Sequence, residues 1–282
     1  MLRSLITAIL FALAIGAQPA RIVSTSPSIT ETLFALNLGD RVAGVTNYCR
    51  YPPAALSLPK IGTYSKPDPE KIALLRPDVV IIHESAAVLA GRLKALGIRY
   101  AAVKVGSLAD IYTMIEDIAR ATSVPTRGQA LNHEIRNKLE ALRSEGRTEV
   151  KPRILLLVGR NPGLLSDLVA AGEGTYLGEL LEIAGGVNVL TGTAVAYPRI
   201  SLETVVRMNP DVILDSSVMG EAGFDHAAHE VRLRQPWLTH RELAAVQNGR
   251  VFGLTSESLV TPGPRVIEAV ELIRARIKAR QP

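Results

Sequence analysis

The sequence predicts an α/β protein of two lobes, each built on a central, mainly parallel sheet, joined by a single long α-helix. Three observations carry that expectation. First, the stretch Pro69-Glu70-Lys71-Ile72, running on through Arg76-Pro77-Asp78-Val79 to Ile82, has a second copy 133 residues later. That copy is Leu202-Glu203-Thr204-Val205, running on through Asn209-Pro210-Asp211-Val212 to Asp215. Each copy opens a short amphipathic helix with a glutamate, turns through x-Pro-Asp, and enters an apolar, β-branched run that reads as a buried parallel strand. The interval is too long for a solenoid repeat, so it marks two similar lobes that each display an equivalent glutamate. Second, strands alternate with helices on both sides of the chain's middle, the pattern of a parallel sheet covered on its faces. Third, the middle segment, Thr126 to Arg147, carries Leu131, Ile135, Leu139 and Leu142 as one apolar stripe on an otherwise charged or polar helix.

The elements follow in order. Arg21 to Ser24 reads as a strand, and Ile29 to Leu38 as a helix stopped by Gly39. Val42 to Val45 is a strand, with Pro-rich loops around Tyr51-Pro52-Pro53 and Leu58-Pro59. Glu70 to Leu75 is a helix, Val79 to Ile82 a strand, and Ala87 to Leu96 a helix ending at Gly97. Tyr100 to Val105 and Leu108 to Ala121 add a further strand and helix. The connecting helix is about 30 Å long at 1.5 Å per residue. Ile154 to Val158 restarts the pattern as an all-apolar strand, followed by a helix from Thr175 to Ile183. Glu203 to Met208 and Val212 to Leu214 are the repeated helix and strand. Ala227 to Arg234 is helical, Val251 to Leu254 a strand, and Arg265 to Lys278 the last helix. The boundaries are 1–20 for a leader, 21–125 for the first lobe, 126–147 for the connecting helix and 148–282 for the second lobe.

Composition narrows the class. The chain has 282 residues, 47% of them apolar, with a mean hydropathy of +0.19, which excludes a disordered protein. Arg3, an apolar run from Leu5 to Ala17 broken only by Thr7, and small residues before Arg21 read as a cleavable signal peptide. The one cysteine, Cys49, lies well beyond that leader, so no lipid anchor is expected, and no internal disulfide or thiolate cluster is available. A net charge of +5, spread rather than clustered, points away from nucleic acid.

Local motifs favour binding over catalysis. There is no Gly-x-Ser-x-Gly elbow, no His-Glu-x-x-His and no Gly-x-Gly-x-x-Gly turn. His226 and His229 near Asp225 have a spacing that metal sites use, but their segment is polar and exposed. Asp110, Glu116 and Asp117 read as solvated helix charges. In α/β lobes ligands sit at the carboxyl ends of strands. There Ser24 to Ser28 offers hydroxyls, with Ser28 and Glu31 at capping-box spacing, and His83 ends a strand. Tyr48, Tyr51, Tyr64, Tyr176 and Tyr197 fall in polar or Pro-rich loops. Rings so placed suit a large, partly flat ligand; pinning of the loop is the stronger reading at Tyr51 and Tyr176. Glu70 and Glu203 also suit plain helix capping.

The chain resembles the periplasmic cobalamin-binding proteins, within the wider helical-backbone (class III) group of substrate-binding proteins of ABC importers. The residues that carry the likeness are Arg21-Ile22-Val23-Ser24 with Pro27 and Thr30-Glu31, Gly44 to Cys49 leading to Tyr51-Pro52-Pro53, and Gly62-Thr63-Tyr64. Pro69 to Ile72, Leu75 to Asp78 and Asn248-Gly249-Arg250-Val251 extend it, so that it spans about Arg21 to Ala279. It implies two Rossmann-like lobes, a periplasmic monomer and capture of a corrinoid between the lobes without catalysis. Haem or a ferric siderophore is the alternative ligand, since relatives that bind these share most of the pattern. It puts Tyr48 and Tyr64 against the ligand from the first lobe and Tyr197 from the second. His83 stands where an aromatic is familiar, and Ser26 and Arg160 complete the ligand-binding set, with no catalytic residue and no metal site of the protein's own. By the same resemblance Glu70 and Glu203 sit at the outer tips of the lobes and pair with arginines of the importer's two transmembrane subunits. Trp237 belongs to a structural loop.

Overall fold

A computed structural model describes residues 19–145, 151–217 and 225–279. The expected signal peptide, apart from its last two residues, lies outside the described residues, as do the last two residues of the expected connecting helix.

The first sheet is made of β1 (Ile22–Ser24), β2 (Val42–Gly44), β3 (Val79–His83) and β4 (Tyr100–Val103), in the order β2-β1-β3-β4 with every pairing parallel. Helices α1 (Pro27–Ala35), α2 (Pro69–Leu74), α3 (Ala87–Ala95) and α4 (Leu108–Ala121) connect and cover it. All five residues of β3 are buried, as a strand covered on both faces requires. Helix α5 (Pro125–Glu145) then leads to the second sheet.

That sheet runs β10-β9-β5-β6-β8, with β7 also on β5. Its parallel part is β5 (Arg153–Gly159), β7 (Val187–Asn188), β9 (Val212–Asp215) and β10 (Val251–Gly253); β6 (Leu168–Ala170) and β8 (Arg199–Ile200) pair antiparallel. Its helices are α6 (Tyr176–Ile183), α7 (Leu202–Met208), α8 (His226–Arg234), α9 (Ala244–Gln247), α10 (Glu257–Val260) and α11 (Val266–Lys278). The short β6, β7 and β8, and the single-turn helices α9 and α10, are too brief for periodicity to reveal.

The repeat has a physical basis. Just past α2 Arg76 has φ 47°, and just past α7 Asn209 has φ 44°, both left-handed. The aspartate that follows clasps the first strand of its lobe. Asp78 Oδ2 accepts the Arg21 amide at 2.9 Å and the Asp78 amide donates to Arg21 O at 2.8 Å. Asp211 does the same to Arg153, at 2.7 and 2.8 Å. The x-Pro-Asp turn therefore fixes strand register in both lobes.

The connecting helix is not a bare strut. Ile135 and Leu139 are buried, Leu131 and Leu142 pack half-buried beside them, and one apolar cluster runs from β1 and α4 past α5 to β5, α6 and α11. Helix α5 crosses α4 closely at Gly128, where a Cβ would stand 2.6 Å from that of Ala119.

Two local expectations are corrected. Helix α1 begins at Pro27, because Ser26 rather than Ser28 is its cap, accepting the Ile29 amide at 3.3 Å. Proline at the first helical position costs no hydrogen bond. Glu31 is thereby freed from capping and turns inward; the helix ends at Leu36, before Asn37 at φ 56° and well before Gly39. Asp110 is not a loose surface charge. It closes a capping box with Ser107, and the Ser107 amide holds its carboxyl below the usual range.

Candidate functional site

The carboxyl ends of β1 and β3 lie side by side, and the residues beyond them meet. Ser26, already the cap of α1, is 2.9 Å from His83 Nε2. The Tyr64 ring stands edge-on to the His83 imidazole, centroids 5.5 Å apart at 72°. Burial pushes His83 below its ordinary value, so the ring is neutral at neutral pH. Tyr64 rides a short loop pinched by the bridge between Gly62 and Pro67; Gly62 has φ +106°, a conformation that favours glycine.

These residues open onto a cavity of about 480 Å³ between the two sheets. Ser26, Ser28, Tyr48, Tyr64, His83 and Val105 line it from the first lobe. Tyr176, Tyr197 and the run Val260-Thr261-Pro262 line it from the second. Three rings leave large parts uncovered: Tyr48 is 52% exposed, Tyr64 48% and Tyr197 38%. Burial still pushes the Tyr197 phenol up. Tyr176 differs, for its hydroxyl donates to Leu259 O at 2.6 Å and its ring is buried. Tyr176 opens α6 rather than sitting in a loop, and its hydroxyl ties that helix to α10, while the residue also lines the cavity. The interval of 133 residues that relates Glu70 to Glu203 also relates Tyr64 to Tyr197. The repeat thus extends into the cavity.

Arg160 is not brought to this cavity. Its Nε donates to Asp215 Oδ2 at 2.8 Å, its Nη2 to Leu233 O at 3.0 Å and its Nη1 to Leu164 O at 2.9 Å. Trp237 Nε1 donates to the same Asp215 oxygen at 2.9 Å. The pair is fully enclosed, and the guanidinium is consumed in tying β5 to β9 and to the turn around Trp237.

Glu70 and Glu203 are exposed at the second position of α2 and α7. Neither is the cap. Asp68 accepts the Glu70 and Lys71 amides, and Ser201 accepts the Thr204 amide. Among the described residues neither glutamate enters an ion pair. His226 Nδ1 faces Thr255 Oγ1 at 3.0 Å, and no group of three His, Cys, Asp or Glu among the described residues is arranged to hold a metal.

Sequence reasoning missed Val105 and the Val260 to Pro262 strip. Both are ordinary apolar or turn residues, and only the folded arrangement around α10 brings the strip to the cavity that Tyr48 also lines.

Two α/β lobes, a helical connection and an aromatic-walled cavity between them define a bilobal solute-binding protein. The chain belongs to the periplasmic binding protein family, whose model matches residues 22–258. It is 30% identical over 264 residues to the vitamin B12-binding protein of Vibrio cholerae, covering 93% of this chain and 90% of that one. Among solved structures it is similar to the periplasmic vitamin B12 binding protein BtuF of Vibrio cholerae, with TM-score 0.75 and 29% identity over 93% of this chain and 97% of that one. It is also similar to the periplasmic heme-binding protein RhuT from Roseiflexus sp. RS-1, with TM-score 0.76 and 26% identity over 92% and 99%.

Proposed function

We propose that this chain captures cobalamin in the cavity between its lobes and delivers it to an ABC importer, without chemistry of its own. The observation that carries the reading is the cavity wall. Three half-exposed tyrosines from two lobes, beside a neutral His83 and the Ser26 hydroxyl, suit the broad faces and polar edge groups of a corrinoid. The 30% identity to a vitamin B12-binding protein supports the same ligand. In this reading residues 1–20 direct export, 21–125 and 148–282 are the two lobes, and 126–147 joins them. The mature chain acts as a periplasmic monomer without a lipid anchor.

Glu70 and Glu203 are the docking residues of this proposal. Their positions repeat, their carboxylates are exposed, and their helices are capped by other residues, so capping does not account for them. Two separated charge contacts orient a partner and hasten encounter.

A second reading is haem capture. Its support is His83 together with tyrosine hydroxyls in the cavity, groups able to ligate ferric iron, and the likeness to RhuT. The test is visible absorption during titration with cyanocobalamin, haem and a ferric siderophore. The proposal expects a one-to-one corrinoid complex that haem does not displace. Preferential uptake of haem with a strong Soret band supports the second reading instead.

A further inference from the structure

Two ion pairs cross between the lobes beside the cavity. Glu31, one turn along α1 from the cavity residue Ser28, receives Arg265 through Nε at 2.9 Å and Nη2 at 2.6 Å. The guanidinium carbon of Arg265 lies 3.9 Å from the centre of the Tyr51 ring. Beside it Arg50 Nη1 meets Glu257 at 3.3 Å. Both pairs end on chain that builds the cavity. Arg50 and Tyr51 come just after Tyr48, and Glu257 and Arg265 bracket Val260 to Pro262. Cys49, between Tyr48 and Arg50, is itself held, with its sulfur 3.1 Å from the Thr30 hydroxyl and 3.2 Å from that of Thr46.

The Glu31 side chain is only 3% exposed and that of Arg265 14%. Apolar packing often matches or exceeds the stability of such a pair. What a forked, two-bond contact adds is direction, because both groups are held in one plane. The Tyr51 ring lies against the guanidinium face and fixes it further. Glu268 is the remaining acidic neighbour of Arg265, at 3.4 Å. On another part of the cavity rim the lobes are tied differently. The Tyr176 amide donates to Gly106 O at 2.9 Å, and the Leu108 amide to Glu179 Oε1 at 3.1 Å. Loosening the Arg265 contact therefore leaves a second attachment about which the lobes can pivot.

We propose that the Glu31–Arg265 fork, with Tyr51 and the Arg50–Glu257 pair, is an interlobe clamp that positions Tyr48 and the Val260 to Pro262 strip as walls of the ligand cavity. The inference rests on that cavity being the ligand site. Glu31 and Arg265 do not line it and act as positioning residues. Breaking the fork lets the Tyr48 loop and the 260–262 strip move apart, so ligand contact is lost there while the Tyr64 and His83 wall keeps its own support.

The test uses the mature chain with cyanocobalamin as probe. Dissociation is followed by stopped flow in the wild type, R265M, R265K and E31Q, and a double-mutant cycle pairs R265M with Y48A and with Y64A. Loss of the clamp is expected to speed dissociation about tenfold, since such changes fall mainly on the off-rate. R265M and Y48A should be strongly non-additive and R265M and Y64A additive, a coupling that general destabilisation would not produce. Where R265M fails to fold, R265K decides, because it keeps the charge and loses the fork. Spin labels at L74C and R207C, equivalent positions in the two repeats, report the interlobe distance in the free protein. Broadened distances with faster dissociation support the clamp. Unchanged dissociation in folded variants overturns it, with or without broadened distances. If the wild type binds no cobalamin, the ligand assignment fails, and the distances alone decide the clamp: unchanged distributions overturn it.

Discussion

Replacing Tyr64 by alanine should weaken ligand binding while leaving the free protein almost as stable. Its ring is 48% exposed in the open cavity, so a ligand face can still cover about half of the roughly 200 Å² that a tyrosine buries. At about 25 cal/mol per Å², that contact of about 100 Å² is worth up to ~2.5 kcal/mol. Truncation at a well-packed contact then costs about 1–3 kcal/mol, or roughly fivefold to 150-fold in affinity. In the free protein the ring makes a T-shaped contact with His83, centroids 5.5 Å apart, so little stability depends on it. Calorimetric titration with cyanocobalamin, beside a thermal melt of the unliganded chain, reads both quantities. Tyr48→Ala and Tyr197→Ala should behave alike, as rings 52% and 38% exposed in the same cavity. Wild-type affinity in all three variants would refute the aromatic wall. A collapsed melting temperature with affinity retained would make these rings loop pins.

Changing Glu70 and Glu203 together to alanine should leave cyanocobalamin affinity intact and largely abolish uptake into vesicles carrying the cognate importer; normal uptake would end the docking role. Burial holds His83 in the folded chain below its unfolded value of 6.5, so the unfolded chain binds the proton first as pH falls. Stability from this group is full above pH 6.5 and is lost as pH falls through the folded value. H83Q should flatten that decline in chemical denaturation, and an unchanged pH slope would show that His83 is not its source. Arg160→Met strands the buried Asp215 carboxylate and should cost about 3–5 kcal/mol. Melting should fall by roughly 10 °C with cyanocobalamin affinity preserved in the folded protein, and an unaffected melt would contradict a structural role.

The lobes were legible because their pattern is local. A helix, a left-handed turn, Pro-Asp and an apolar strand occur in consecutive residues, and the aspartates at 78 and 211 show their purpose only as clasps on Arg21 and Arg153. Tyr64 and Tyr197 were legible as rings in loops that have no core-facing period. Arg160 enters the ligand-binding set only through the resemblance, whereas its partner Asp215 lies 55 residues on and leaves no local sign. Glu31 misled: its spacing from Ser28 matched a capping box, yet its partner Arg265 is 234 residues away. Contacts between distant segments, including the Val260 to Pro262 wall, come from tertiary packing and carry no period to read.

Native mass spectrometry of the chain in an equimolar mixture of cyanocobalamin, haem and a ferric siderophore reads the ligand choice itself. A single adduct is expected, one cobalamin per chain, that persists as the competitors are raised. A chain that emerges unliganded, or carries haem or the siderophore in preference, would contradict cobalamin capture.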